Sequence, residues 1–237
     1  MLVHNWMTQE VVTISPEETV LRAQELMEER EIRRLPVVHE GKLVGIITRG
    51  DIQRVLPSTS EATGDLWELD YLHPLAKLTV AEAMTEDPLT ISPRGTIEEA
   101  ALLMQEHKIG GLPVVEEGEL VGIITESDIF RAMIEVMGLG WGGMRIDLEV
   151  EDRPGALLEV LEPIKRHGAN IISIVTCRES CTGAHTREVV LRVEAPEDDT
   201  DKIIAELKEQ GVKVLDVRRS DRKPLGSPRA TKQASYR

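Results

Sequence analysis

The apolar positions of this chain fall into short runs, and the runs come twice. Leu35 to Val38 and Leu43 to Ile47 recur as Leu112 to Val115 and Leu120 to Ile124. Each run is short and rich in β-branched residues, which predicts strands rather than helices. Glu40-Gly41 and Glu117-Gly118 separate the members of each pair, an acid-Gly step that suits a tight hairpin. The second run of each pair is apolar almost throughout, as expected of a strand covered on both faces. Ahead of each hairpin the period becomes helical. Val20, Ala23 and Met27 follow Thr19, and Ile97, Ala100 and Met104 follow Thr96, where Thr96-x-x-Glu99 has the form of a capping box. After each hairpin comes Gly-Ile-Ile-Thr-x-x-Asp and then another helix. The spacing is constant without a gap, 112 − 35 = 77 residues, and reaches back to Met7-Thr8 against Met84-Thr85. One supersecondary unit is therefore used twice.

From Met144 the pattern changes. Arg145 to Val150 alternates, Glu151-Asp152-Arg153-Pro154-Gly155 turns, and Ala156 to Leu161 opens a helix. Pro163 inside that helical pattern predicts a kink or an early end, and Gly168 a C-terminus. Asn170 to Thr176 and Glu188 to Val193 read as strands, Asp201 to Gln210 as a helix and Val212 to Val217 as a last strand. The order is βαββαβ, a ferredoxin-like plan. The whole chain is thus α/β (α+β). It divides into repeat units at 2–56 and 79–137, a linker at 57–78, a Gly-rich linker at 138–143, the βαββαβ unit at 144–218 and a disordered basic tail at 219–237. In the first linker, Leu66 to Leu72 could form a short helix with Trp67 and Tyr71 packing against the repeats.

The duplicated Thr-x-x-Asp turn has two readings. Thr48 with Asp51, and Thr125 with Asp128, can close capping boxes. They can also serve a ligand: a strand end feeding a helix N-terminus offers free N–H groups to a phosphate, and the hydroxyl and carboxylate can bond sugar hydroxyls. Recurrence favours the ligand without excluding the cap. The copies differ beside these turns. Arg33-Arg34 and Arg49 stand in the first, Gly110-Gly111 and Glu126 in the second. This is either surface drift or two unequal sites, Arg offering bidentate bonds to phosphate and Gly a close backbone approach. Arg33 and Arg34 would alternate in direction on a strand, so at most one is expected to face a ligand.

Three marks in each copy make the repeat resemble a CBS domain: Thr13-Ile14-Ser15-Pro16 or Thr90-Ile91-Ser92-Pro93, then Leu-Pro-Val-Val, then Gly-Ile-Ile-Thr-x-x-Asp. CBS domains work in pairs that bind adenosine nucleotides. The resemblance puts forward Thr13, Ile14, Arg34, Pro36, Thr48, Arg49 and Asp51 in the first copy, and Thr90, Ile91, Gly111, Pro113, Thr125 and Asp128 in the second. Residues 144–218 resemble an ACT domain through Asp152-Arg153-Pro154-Gly155-Ala156-Leu157 and Gly168-Ala169-Asn170-Ile171. That family senses small molecules, often amino acids, between paired domains. The resemblance implies Asp152, Arg153, Gly155, Asn170 and Ile171 as ligand residues, with dimerisation without any ligand an equal reading. The order CBS-CBS-ACT is similar to the bacterial acetoin utilisation protein B group.

Composition narrows the classes. A net charge of −14 argues against a broad nucleic-acid face, and 3% aromatic residues against base-stacking platforms. No run approaches the ~18 apolar residues of a membrane span, and no signal-peptide pattern opens the chain, so the cytoplasm is expected. Two cysteines, Cys177 and Cys181, exclude a disulfide scaffold and fit a reducing compartment. With His185 they are spaced by four, but Cys177 ends a strand and no fourth ligand is near, so no metal is assigned. Gly138-Leu139-Gly140-Trp141-Gly142-Gly143 matches G-x-G-x-x-G formally. It follows a helix and precedes a strand, the reverse of the dinucleotide context.

No Ser-His-Asp or Cys-His constellation can be placed, so the chain reads as no enzyme with no catalytic cofactor, and the CBS resemblance implies an adenine nucleotide as regulatory ligand. The expected function is a sensor of AMP, ADP or ATP. Its ACT domain either takes an amino acid or other small metabolite or dimerises without a ligand. The resemblance implies a homodimer or larger that regulates acetoin or related carbon metabolism through a target protein that the sequence does not identify. The alternatives are an accessory enzyme of acetoin catabolism and a ligand-free dimerisation scaffold.

Overall fold

A computed structural model describes residues 1–55, 77–177 and 185–220. The chain forms two compact units, Met1–Ile129 and Phe130–Arg237. The expected helix at 66–72, the loop around Cys181 and the tail from 221 lie outside the described residues.

In the first unit, α1 (Val20–Glu29), β1 (Arg34–His39), β2 (Lys42–Thr48) and α2 (Arg49–Val55) make the first copy. The second contains α3 (Val80–Ala83), β3 (Thr85–Glu86), α4 (Ile97–His107), β4 (Gly111–Glu116), β5 (Glu119–Thr125) and α5 (Glu126–Val136). The hairpins form where expected. Glu40 and Gly41 both take positive φ, as do Glu117 and Gly118, the geometry of a type I′ turn. Arg34 pairs with Thr48 and Gly111 with Thr125, in identical register. The sheet runs β1-β2-β5-β4, joined between copies at Lys42–Glu119. Thr13 to Pro16 is not a strand. Only Ile14 bridges, to Val37, and Ile91 does the same to Val114.

The copies exchange their leading segments. Thr85 and Glu86 pair with Ile46 and Gly45 of the first copy, and Thr8 bridges Ile123 of the second. Val80 N–H donates to the Glu18 carbonyl at 2.8 Å, and Val3 N–H to the Gly95 carbonyl at 2.8 Å. Val80 is thereby fully buried in the first copy's core, with Val20, Ala23, Met27, Leu35, Val37 and Ile47. Each of these side chains other than Ala23 contributes about 1.5–3 kcal/mol by leaving water. The exchange also explains Gly45 and Gly122 inside apolar strands. A Cβ at Gly45 would lie 2.4 Å from the sulfur of Met84, and one at Gly122 2.6 Å from that of Met7.

The second unit contains β6 (Gly143–Glu151), α6 (Ala156–Arg166), β7 (Asn170–Cys177), β8 (Thr186–Glu194), α7 (Glu197–Glu209) and β9 (Lys213–Ser220). The antiparallel sheet has the order β7-β8-β6-β9, and its core joins Ile146, Leu148, Val189 and Leu191 to Val160, Ile164, Ile203 and Leu207 from the helices. Several expectations need correction. α6 does not end at Pro163. It runs to Arg166 with Pro163 buried, so packing offsets the missing N–H. α7 begins at Glu197 rather than 201, directly after Pro196 at its N-cap. β9 extends through Ser220, two residues into the segment read as tail, because Met144–Arg219 and Gly143–Ser220 continue the ladder. Cys177 is disulfide-bonded. Its sulfur is therefore not a free thiolate.

Candidate functional site

Both Thr-x-x-Asp turns are built alike. Asp51 Oδ2 accepts from Thr48 N at 2.8 Å and Thr48 Oγ1 at 2.6 Å, and Asp51 N donates back to Thr48 Oγ1 at 3.3 Å. Asp128 Oδ2 accepts from Thr125 N at 3.0 Å and Thr125 Oγ1 at 2.9 Å. The capping geometry is therefore real, and it holds each carboxylate almost fully buried. Arg54 bonds the other oxygen of Asp51.

The first turn opens onto a cleft of about 650 Å³, within the range of small-molecule sites. From the first copy it takes Arg33, Arg34, Ile46, Thr48, Arg49, Asp51 and Arg54. From the second come Thr85, Asp87, Pro88, Leu89, His107, Lys108, Ile109, Gly110, Gly111 and Pro113. Five permanent cations, with His107, outweigh Asp51 and Asp87. The apolar part of the wall is aliphatic, from Ile46, Leu89, Ile109 and Pro113, so it suits a ligand with one flat apolar end and one anionic end.

Of the residues put forward from sequence, Arg34, Thr48, Arg49, Asp51, Gly111 and Pro113 line this one cleft. Gly111 and Pro113 were grouped with the second copy. The fold brings them to the first turn. Thr13, Ile14, Pro36, Thr90, Ile91, Thr125 and Asp128 are not among its lining residues. Ile14 and Ile91 instead tie the leading segments to β1 and β4. Both Arg33 and Arg34 line the cleft, because Arg33 precedes the strand and escapes its alternation. The space over Gly110-Gly111 is taken by the Arg34 side chain, whose nitrogens would lie 2.6 and 2.1 Å from Cβ atoms placed there. Burial holds the Arg34 pKa below its ordinary value, partly offset by the Glu126 carboxylate. Sequence reasoning missed Arg54, His107 and Lys108. Arg54 could have been found, since Arg131 stands at the equivalent repeat position.

The second unit holds a cavity of about 290 Å³ between the Asp152-Arg153-Pro154 turn and Ala156, Leu157, Thr176, Arg187 and Val189. Asp152 and Arg153 line it. Asn170 and Ile171 do not, since they begin β7 and Thr176 lies near its other end. The cavity's arginines are engaged. Arg153 bonds Glu159 at 2.9 and 2.6 Å and Glu151 at 2.7 Å, and Arg187 bonds Asp152. Gly155, at φ 87°, supplies the left-handed entry to α6.

Fold, repeat and cleft define a tandem CBS pair followed by an ACT domain. The CBS domain family matches residues 3–58 and 80–135, and the TTHA0829-like ACT domain family matches 142–218. The chain belongs to the CBS-domain proteins. The CBS domain-containing protein YhcV of Bacillus subtilis is 32% identical over 127 residues, covering 54% of this chain and 81% of its own length. Inosine-5'-monophosphate dehydrogenase of Korarchaeum cryptofilum is 39% identical over 127 residues, 53% of this chain but only 23% of that enzyme. Among solved structures, a Vibrio cholerae protein assigned to acetoin utilization (AcuB) shares 34% identity. The match covers 56% of this chain and 90% of that one, with a TM-score of 0.47.

Proposed function

We propose that this chain is a non-enzymatic regulatory sensor whose CBS pair binds an adenine nucleotide, AMP, ADP or ATP. The observation that carries this is the cationic cleft at the first Thr-x-x-Asp turn. Its aliphatic wall suits the base, its hydroxyl and carboxylate suit the ribose, and its guanidinium groups suit the phosphates. The output is directed to acetoin or related carbon metabolism, in a cytoplasmic homodimer, through a partner protein. Among the described residues no helix is long and apolar enough to cross a membrane.

At the ACT domain two readings stand. The cavity has the size for an amino acid or a similar metabolite. Arg153 and Arg187 already pair with carboxylates, so a ligand would have to compete for them, and dimerisation without a ligand is the equal second reading.

Calorimetric titration of AMP, ADP and ATP tests the nucleotide reading. Wild type binds all three. Asp51→Ala with Asp128→Ala abolishes binding, because each removes the group that meets the ribose. Unchanged binding in that double variant, with a cooperative melt showing that it folds, sinks the reading. Native mass spectrometry of the purified protein reports carried ligand and oligomer together.

A further inference from the structure

The repeat makes Arg34 and Gly111 counterparts, opening β1 and β4 opposite Thr48 and Thr125. The two positions meet. Arg34 lies along the Gly110-Gly111 backbone, where either residue's Cβ would collide with it. A Cβ at Gly110 would also lie 2.9 Å from a carboxylate oxygen of Glu126, the counterpart of Arg49. Arg34 therefore lines the open cleft and at the same time stands beside Glu126 at the second turn. Its guanidinium is half-buried, and among the described residues no hydrogen bond or close ion pair holds it, the Glu126 carboxylate acting on it from farther off. A half-buried guanidinium without a close acceptor is poised to take an anion.

We propose that the two Thr-x-x-Asp turns share Arg34. A phosphate bound in the first cleft fixes Arg34 there and leaves the second turn, with Glu126 beside it, selective for adenine ligands of lower negative charge. The inference rests on the nucleotide reading above. One guanidinium cannot neutralise phosphates at both turns. Once it is engaged at the first, a phosphate at the second faces Glu126 without its cation. The two turns are then negatively coupled, and the coupling grows with ligand charge: large for ATP, smaller for AMP, absent for adenosine.

Calorimetry on the full chain tests this. Wild type should bind ATP in two steps, the second at least tenfold weaker. Asp51→Ala disables the first cleft and leaves Arg34 beside Glu126, so ATP should bind its second turn several-fold tighter than in the wild-type second step. Adding Arg34→Ala should erase that gain. Glu126→Gln, which needs no disabled cleft, should tighten the second ATP step several-fold and leave adenosine unchanged. Equal second-turn affinity in wild type and Asp51→Ala overturns the coupling while the nucleotide reading stands, and so does an equal effect of Glu126→Gln on ATP and adenosine. No adenine nucleotide binding by wild type overturns both.

Discussion

Single residues in this chain are chosen against partners far away in sequence. Gly111 is small because Arg34 occupies the space where a side chain would go. Gly111→Ala should therefore push the Arg34 guanidinium aside at a cost of about 1 kcal/mol or less, since the colliding atoms are the far end of a flexible side chain. Combined with Arg34→Ala it should recover part of that loss, since contacting sites couple by roughly 0.5–3 kcal/mol. Urea denaturation of the four variants measures the coupling, and strict additivity would contradict the contact. Glu159 gives the pH counterpart. Its bonds from Arg153 hold its carboxyl below the ordinary value of 4.5. The folded value is lower than the unfolded one, so the stabilisation is fully present above about 4.5 and is lost as pH falls through the folded value. The second unit should weaken over that acid range. Glu159→Gln should flatten this part of the profile, read from urea midpoints at a series of pH values.

Among the elements, the helices of the first unit start on side-chain caps that the sequence displays openly. Thr19 Oγ1 accepts from Arg22 N at 3.1 Å. Thr96 and Glu99 bond reciprocally, at 2.8 Å from Thr96 N to Glu99 Oε2 and 3.1 Å from Glu99 N to Thr96 Oγ1. Thr96→Ala should cost about 1 kcal/mol in thermal or urea unfolding. An unchanged midpoint would mean that α4 is held by packing alone. The hairpins were equally legible, since an acid-Gly step at positive φ is a local demand. Element ends were less legible. α7 begins four residues early and β9 ends three residues late, because a preceding proline and a partner strand extend what propensity alone would stop.

At the level of the whole molecule, each unit has its own core, but the two repeat copies do not. The first copy's core includes Val80 and is packed by Met84, both from the second copy's leading segment, and by Leu78 just before it. Residues 1–56 alone should therefore show no cooperative unfolding by circular dichroism, whereas residues 1–137 should. Residues 142–220, with a complete sheet and both helices, should unfold cooperatively by themselves. A cooperative transition from 1–56 would mean that the exchange is dispensable.

The sequence by itself determined what depends on neighbours along the chain. The 77-residue repeat, the period of its strands and helices, the turns, the caps and the βαββαβ order could all be read from spacing and residue type, as could Thr48, Asp51 and Arg49 as a cluster. Only the tertiary structure decided which copy supplies which wall. Spacing assigned Gly111 and Pro113 to the second copy, but the fold brings them to the first turn, beside Arg34, His107 and Lys108. It also decided that Gly110-Gly111 makes room for a protein side chain rather than for ligand alone. The reason is physical. Backbone conformation follows from local sterics and hydrogen bonding, whereas the occupant of the space above a glycine is set by packing between segments that no local pattern connects.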